Sequence, residues 1–178
     1  MKRKVALLIG RFQPFHKGHL HAVKYILERH DFLYIGVGSA LDSHTKRNPF
    51  TFSERLEMIK LALSEAGIPQ DKYYVIPIPD SRYHSSWVSI VKMLVPEFDV
   101  VYSNDPLTRI LMQENGYEVE HIPYFQREVY TGEEFRNRVV ANGEWKELVP
   151  KAVYEYIIQK KLHERIIQLW KTDKVKKN

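Results

Sequence analysis

Cysteine is absent from the 178-residue chain. That excludes a disulfide framework, a thiolate nucleophile and any Cys-ligated zinc or iron–sulfur centre, and leaves the chemistry to His, Arg, Lys, hydroxyl and carboxylate side chains. Long apolar runs are missing too. The longest, Val5 to Ile9 and Phe32 to Ile35, fall far short of the ~18 residues of a membrane helix, and the N-terminus lacks the apolar region of a signal peptide, so the chain reads as cytoplasmic. A broad cationic surface is the third absence. The formal charge is +5, but Lys2, Arg3 and Lys4 carry +3 and residues 171–178 another +3, which leaves −1 for the body from Val5 to Trp170. Such a body offers no electrostatic footprint for a nucleic acid.

What is present is ordinary for one globular domain spanning residues 1–178, with 44% hydrophobic and 28% charged residues,; residues 172–178 read as a frayed tail. Charge is distributed unevenly within the body. Residues 5–50 hold six Lys/Arg against three Asp/Glu and five of the eight histidines, whereas residues 51–170 hold fourteen against eighteen. An anionic ligand is therefore expected at the N-terminal quarter.

Short β-rich runs (Val5 to Ile9, Phe32 to Val37, Tyr73 to Ile78, Val100 to Tyr102, Tyr117 to Ile122) alternate with segments of helical periodicity (Gly18 to Arg29, Phe52 to Ala66, Ser86 to Leu94, Leu107 to Asn115),. Thr51 and Glu54 form a capping box at one helix start. The alternation predicts an α/β fold, a Rossmann-like, mainly parallel sheet with helices on both faces, followed by C-terminal helices over Thr131 to Ala141 and Val149 to Trp170. Ligands of such sheets bind at the carboxyl ends of the strands.

At the first of those ends stands Gly10-Arg-Phe-Gln-Pro-Phe-His-Lys-Gly-His19. Gly10 permits close approach of a ligand, Gly18 keeps a helix entrance clear for a phosphate, and Arg11 and Lys17 add positive charge. His16 and His19 lie three apart, so both rings face one bound group if the helix starts near Gly18. As metal ligands they would lack a third donor at a recognisable spacing. The loop is neither a P-loop nor a dinucleotide fingerprint. His21, His30 and His163 read as solvated or capping residues.

This pattern resembles the GxFxPxHxGH signature of the HxGH nucleotidyltransferase superfamily, and its extended form looks like the archaeal-type nicotinamide mononucleotide adenylyltransferases. The likeness continues in Gly38-Ser-Ala40, in Ser43 to Thr51, in Ser86-Trp-Val88, in Tyr102 to Leu107 and in Tyr130-Thr-Gly-Glu-Glu-Phe-Arg136. It implies transfer of AMP from ATP to nicotinamide mononucleotide, with Mg2+ arriving on the ATP and no metal site in the protein. It assigns catalysis to His16, His19 and Arg136, and ATP binding to these together with Gly10, Arg11, Phe12 and Thr131. Ser39, Arg47, Asp80 and Trp87 fall on the acceptor side. A homo-oligomer, often a hexamer, is implied as well, and the apolar stripe of the last helix packs either on its own domain or on another subunit.

The bland readings stand beside these. An isolated Lys46-Arg47 pair is usually solvated surface, and Trp87 with Ile90, Val91 and Leu94 makes a stripe that by itself favours a core tryptophan. Thr131 to Glu134 reads as a second capping box, delivering a helix N-terminus to phosphates. There the chain departs from the family form Tyr-Ser-Gly-Thr-Glu-hydrophobic-Arg: Thr131 keeps a hydroxyl, but Glu133 brings a carboxylate that weakens ATP binding or recruits Mg2+ unless it turns outward. Adenylyl or cytidylyl transfer to another acceptor (nicotinate mononucleotide, flavin mononucleotide, pantetheine phosphate) is the nearest alternative. A tRNA-charging enzyme and a catalytically silent nucleotide sensor are more distant ones.

Overall fold

Five strands hydrogen-bond in the order β3-β2-β1-β4-β5, and every pairing is parallel. The structure, a computed structural model, describes residues 4–123 and 125–171; the tail assigned to 172–178 lies outside them. The strands are β1 (Val5–Gly10), β2 (Phe32–Val37), β3 (Tyr73–Pro77), β4 (Val100–Tyr102) and β5 (Val119–Glu120), and the helices are α1 (Lys17–Leu27), α2 (Phe52–Glu65), α3 (His84–Leu94), α4 (Pro106–Glu114), α5 (Gly132–Val140), α6 (Lys151–Gln159) and α7 (Leu162–Lys171).

The chain divides into two compact units. The first comprises residues 1–11, 21–41 and 68–124 and contains the whole sheet. In β1, Ala6, Leu7 and Leu8 are all buried, the continuous apolar run of a parallel strand covered on both sides. Successive side chains alternate between the faces: Leu7, Ile9 and Val101 pack with Trp87, Val88, Val91 and Met112 of α3 and α4, while on β4 the next residue, Tyr102, meets Tyr25 of α1 edge-on. Gly36 has a packing reason, because a Cβ there would lie 2.6 Å from Ile78 Cδ1. Strand order reverses beside β1, since β2 and β3 build to one side and β4 and β5 to the other. The carboxyl end of β1 is thus the topological switch point where ligands of such sheets bind.

Among the described residues the second unit comprises 12–20, 42–67 and 125–171. In it α6 and α7 bury Val153, Ile157, Leu162 and Ile166. The single C-terminal helix expected from sequence is broken in two: Lys161 adopts the left-handed region (φ 54°), and the five-residue step from Ile157 to Leu162 exceeds what a straight helix keeps on one face. Four residues of the apolar stripe are thus buried within the unit, and Leu169 is half-buried. The capping box of α2 forms as expected, with Glu54 N–H donating to Thr51 Oγ1 and Thr51 N–H donating to Glu54. His30 and His163 are half-buried ring partners of Tyr102 and Trp145 rather than solvated residues.

Candidate active site

The histidine loop is built from aromatic burial and reciprocal hydrogen bonds. Phe12 takes a left-handed conformation (φ 52°) and is buried with Phe15; the Phe12 ring stands edge-on to His19 at 4.7 Å. His16 N–H donates to His19 Nδ1 at 3.2 Å, and His19 N–H donates to His16 Nδ1 at 3.3 Å. A backbone N–H can only donate, so both Nδ1 atoms accept, which leaves each neutral ring its proton on Nε2. The rings stack at 3.6 Å. Burial pushes the His16 pKa down to about 3; burial, with His16 beside it, holds His19 well below the ordinary imidazole value. The pair thus offers two uncharged Nε2–H donors from the start of α1. Gly18 makes room for it, because a Cβ there would lie 3.0 Å from the His16 ring and 3.1 Å from Tyr130 Cβ.

Arg136 belongs to the same unit. Thr131 caps α5 by accepting from Glu134 N–H at 3.0 Å, and Arg136 Nη1 donates to the Gln13 carbonyl at 2.9 Å. The expected second capping box is only half made: the Glu134 carboxylate turns to Arg138 at 2.7 Å instead of back to the cap. Glu133 is exposed, in the first turn of α5.

Arg47 sits in a turn closed by Asn48 N–H donating to Thr45 Oγ1 and Thr45 N–H donating to Asn48 O. It is exposed and makes no hydrogen bond or ion pair among the described residues. Lys46 lies over the Trp170 ring at 5.5 Å. The segment is anchored by Arg165, which donates to both Glu54 oxygens at 2.7 and 2.8 Å and to Pro49 O at 3.0 Å. Burial alone would raise the Glu54 pKa, but the Arg165 and Thr51 hydrogen bonds more than offset it and hold the carboxyl low.

In the first unit, Gly10 O accepts from Gly38 N–H at 2.8 Å and Ile78 O accepts from Ala40 N–H at 3.2 Å, drawing together the loops that follow β1, β2 and β3. Arg11 follows Gly10 and is half-buried; Ser39 is half-buried with φ 46°, and Asp80 is exposed. Phe12, Ser39 and His44 are three of the six positive-φ non-glycine residues among those described, and all three lie in loops that the motifs had singled out. Trp87, with 9% of its surface exposed, belongs mainly to the hydrophobic cluster. Sequence reasoning read Glu54 only as a helix cap and passed over Gln13 and Arg165; Gln13 left a trace as a polar residue near two phenylalanines.

A five-stranded parallel sheet of this order, with a His-x-Gly-His segment after its first strand, defines a nucleotidyltransferase of the α/β type. The profile of the cytidylyltransferase-like family matches residues 7–141, and the chain belongs to that family. A Thermococcus sibiricus protein named nicotinamide-nucleotide adenylyltransferase is 45% identical over 92% of this chain and 88% of its own length. One of the same name from Methanolobus tindarius is 47% identical over 95% and 96%. Among solved structures, a bifunctional NMN adenylyltransferase/ADP ribose pyrophosphatase from Francisella tularensis shares the fold, with TM-score 0.75 at 22% identity over 94% of this chain and 52% of that one.

Proposed function

We infer that the protein transfers AMP from ATP to nicotinamide mononucleotide, giving NAD and pyrophosphate. The observation that carries this reading is the stacked, uncharged His16–His19 pair at the start of α1, together with extensive identity to relatives of that name.

The acceptor's phosphate monoester has a second pKa near ~6 and is already an anion at neutral pH. Its oxygen forms a bond to the α-phosphorus of ATP as the bond to the bridging oxygen of the β-phosphate breaks, and pyrophosphate leaves with that electron pair. No proton must be removed, so no general base is needed. The protein's work is in-line positioning and stabilisation of charge on the phosphoryl oxygens. His16 and His19 supply Nε2–H donors to the ATP phosphates, with His19 nearest the α-phosphate. Arg136 and the Thr131-capped N-terminus of α5 supply positive potential for the β and γ phosphates. Gly10, Arg11 and Phe12 complete the ATP side.

On the acceptor side, Arg47 serves the mononucleotide phosphate, while Ser39, Asp80 and the exposed edge of Trp87 serve the nicotinamide end. The Mg2+ of this reading arrives on the nucleotide, Mg·ATP being the substrate. A single cytoplasmic domain assembling as a homo-oligomer, a hexamer by resemblance, belongs to the same proposal, and its mass in solution checks the assembly. No helix among the described residues is long and apolar enough to cross a membrane.

The test is an acceptor panel. With Mg·ATP, pyrophosphate release is expected with nicotinamide mononucleotide in preference to flavin mononucleotide and pantetheine phosphate. Release with one of the latter and not the former would favour the alternative transfer.

A further inference from the structure

Gln13 is 3% exposed, yet its side chain is not idle. Its Nε2 donates to Phe50 O at 3.1 Å and its Oε1 accepts from Phe50 N–H at 2.9 Å, so the amide pairs with a backbone segment as a neighbouring strand would. Its own main-chain carbonyl accepts from Arg136 Nη1. Phe50 in turn meets Phe135, the residue before Arg136, with ring centroids 6.4 Å apart and both residues fully buried. Gln13, Phe50, Phe135 and Arg136 therefore close a circuit that joins the three separate segments of the second unit.

Gly132 completes it. A Cβ on this residue would lie 2.9 Å from Arg136 Nη1 and 2.9 Å from Gln13 O, squarely on the hydrogen bond between them. Gly132 is the first residue of α5 and has no positive φ, so space and not backbone freedom accounts for glycine here. A guanidinium is planar with donors in a fixed fork; tying Nη1 to a carbonyl that is itself clamped sets the orientation of the whole group.

We propose that Gln13 and Gly132 are positioning residues that fix the Arg136 guanidinium for the ATP phosphates. This rests on the reading of Arg136 given above, and the experiment separates the two.

Initial rates with Mg·ATP and nicotinamide mononucleotide are measured for Gly132→Ala, Gln13→Met and Arg136→Ala, and for each of the first two combined with Arg136→Ala, alongside thermal midpoints. Misplacing a reacting group by ~1 Å can cost ~100-fold, so Gly132→Ala is expected to lower kcat/KM for ATP by about that factor. Its thermal midpoint should fall only modestly, by the cost of easing the Cβ away from the Gln13 carbonyl,, with the protein still folded at the assay temperature, and the mononucleotide KM should stay constant. Gln13→Met is expected to lose activity similarly, and neither substitution should cost anything further once Arg136 is Ala, the non-additivity of groups acting through one another. Wild-type rates for both substitutions beside a slow Arg136→Ala would overturn the positioning proposal and leave the role of Arg136 standing. Full additivity would overturn it as well. An unimpaired Arg136→Ala would overturn both. Should Gln13→Met fail to fold, Gly132→Ala decides alone.

Discussion

The residues of the second unit proposed for the ATP phosphates are tied down within the protein itself. His16 and His19 bond to each other's backbone, Thr131 caps α5, and Arg136 is held by Gln13. Of the residues proposed for the acceptor, Arg47 and Asp80 are exposed and make no hydrogen bond or ion pair among the described residues, whereas Ser39 and Trp87 are half-buried and buried. The contrast follows from what each side must do. Charge develops on the transferring phosphoryl group only in the transition state, and donors already in place stabilise it without reorganising. The acceptor's phosphate is already an anion before it binds, so its side has to capture and aim a charge that exists in the ground state, a task open to an exposed guanidinium such as Arg47.

The comparison is broken most directly at His19. His19→Ala removes one pre-set donor and should lower kcat by ~10²–10³-fold while leaving the mononucleotide KM unchanged, measured by pyrophosphate release; a near-normal kcat would show that the locked pair is not catalytic. Next in size is the anchor of the Arg47 segment. Arg165→Ala leaves Glu54 without its bidentate partner in a largely buried place, and should lower unfolding stability by ~2 kcal/mol in denaturant titration. Arg47→Ala should raise the mononucleotide KM ~10-fold, one charge-assisted hydrogen bond's worth, with kcat and the ATP KM unchanged. A raised ATP KM would move Arg47 to the other side of the comparison.

The smallest effect is on pH. In the native state His16 holds a proton only below about 3, whereas the unfolded chain binds one below the usual imidazole value near ~6.5. Between those limits the unfolded state carries more protons, so stability falls as pH falls and is untouched above them. From pH 7 to 6 the loss should stay under ~1 kcal/mol, and His16→Asn, which keeps an acceptor near the Nδ1 position, should reduce it. An unchanged acid slope would mean that the pair is not held neutral.

How much of this was legible in the sequence depended on range. Strand alternation and the Thr51–Glu54 box are local, and both form where the pattern placed them, except that the fifth strand shrinks from the expected Tyr117 to Ile122 to Val119–Glu120. The break at Lys161 was hidden in a five-residue step between apolar positions that a looser reading of periodicity absorbs. The turn of Glu134 toward Arg138 was a competition between two local partners, and the sequence contains both. Gln13 with Phe50, or Glu54 with Arg165 at a separation of 111 residues, join segments whose proximity only the folded chain reveals. Trp87 shows the opposite limit: its helical stripe correctly indicated burial, since packing is what periodicity reports.

Incubation of the protein with Mg2+, nicotinamide mononucleotide and ATP labelled at the α-phosphate tests the central claim most directly. The label is predicted to appear in NAD, with unlabelled pyrophosphate released in equal amount. A folded protein that leaves the label in ATP, or sends it to AMP with no dinucleotide formed, would contradict the account.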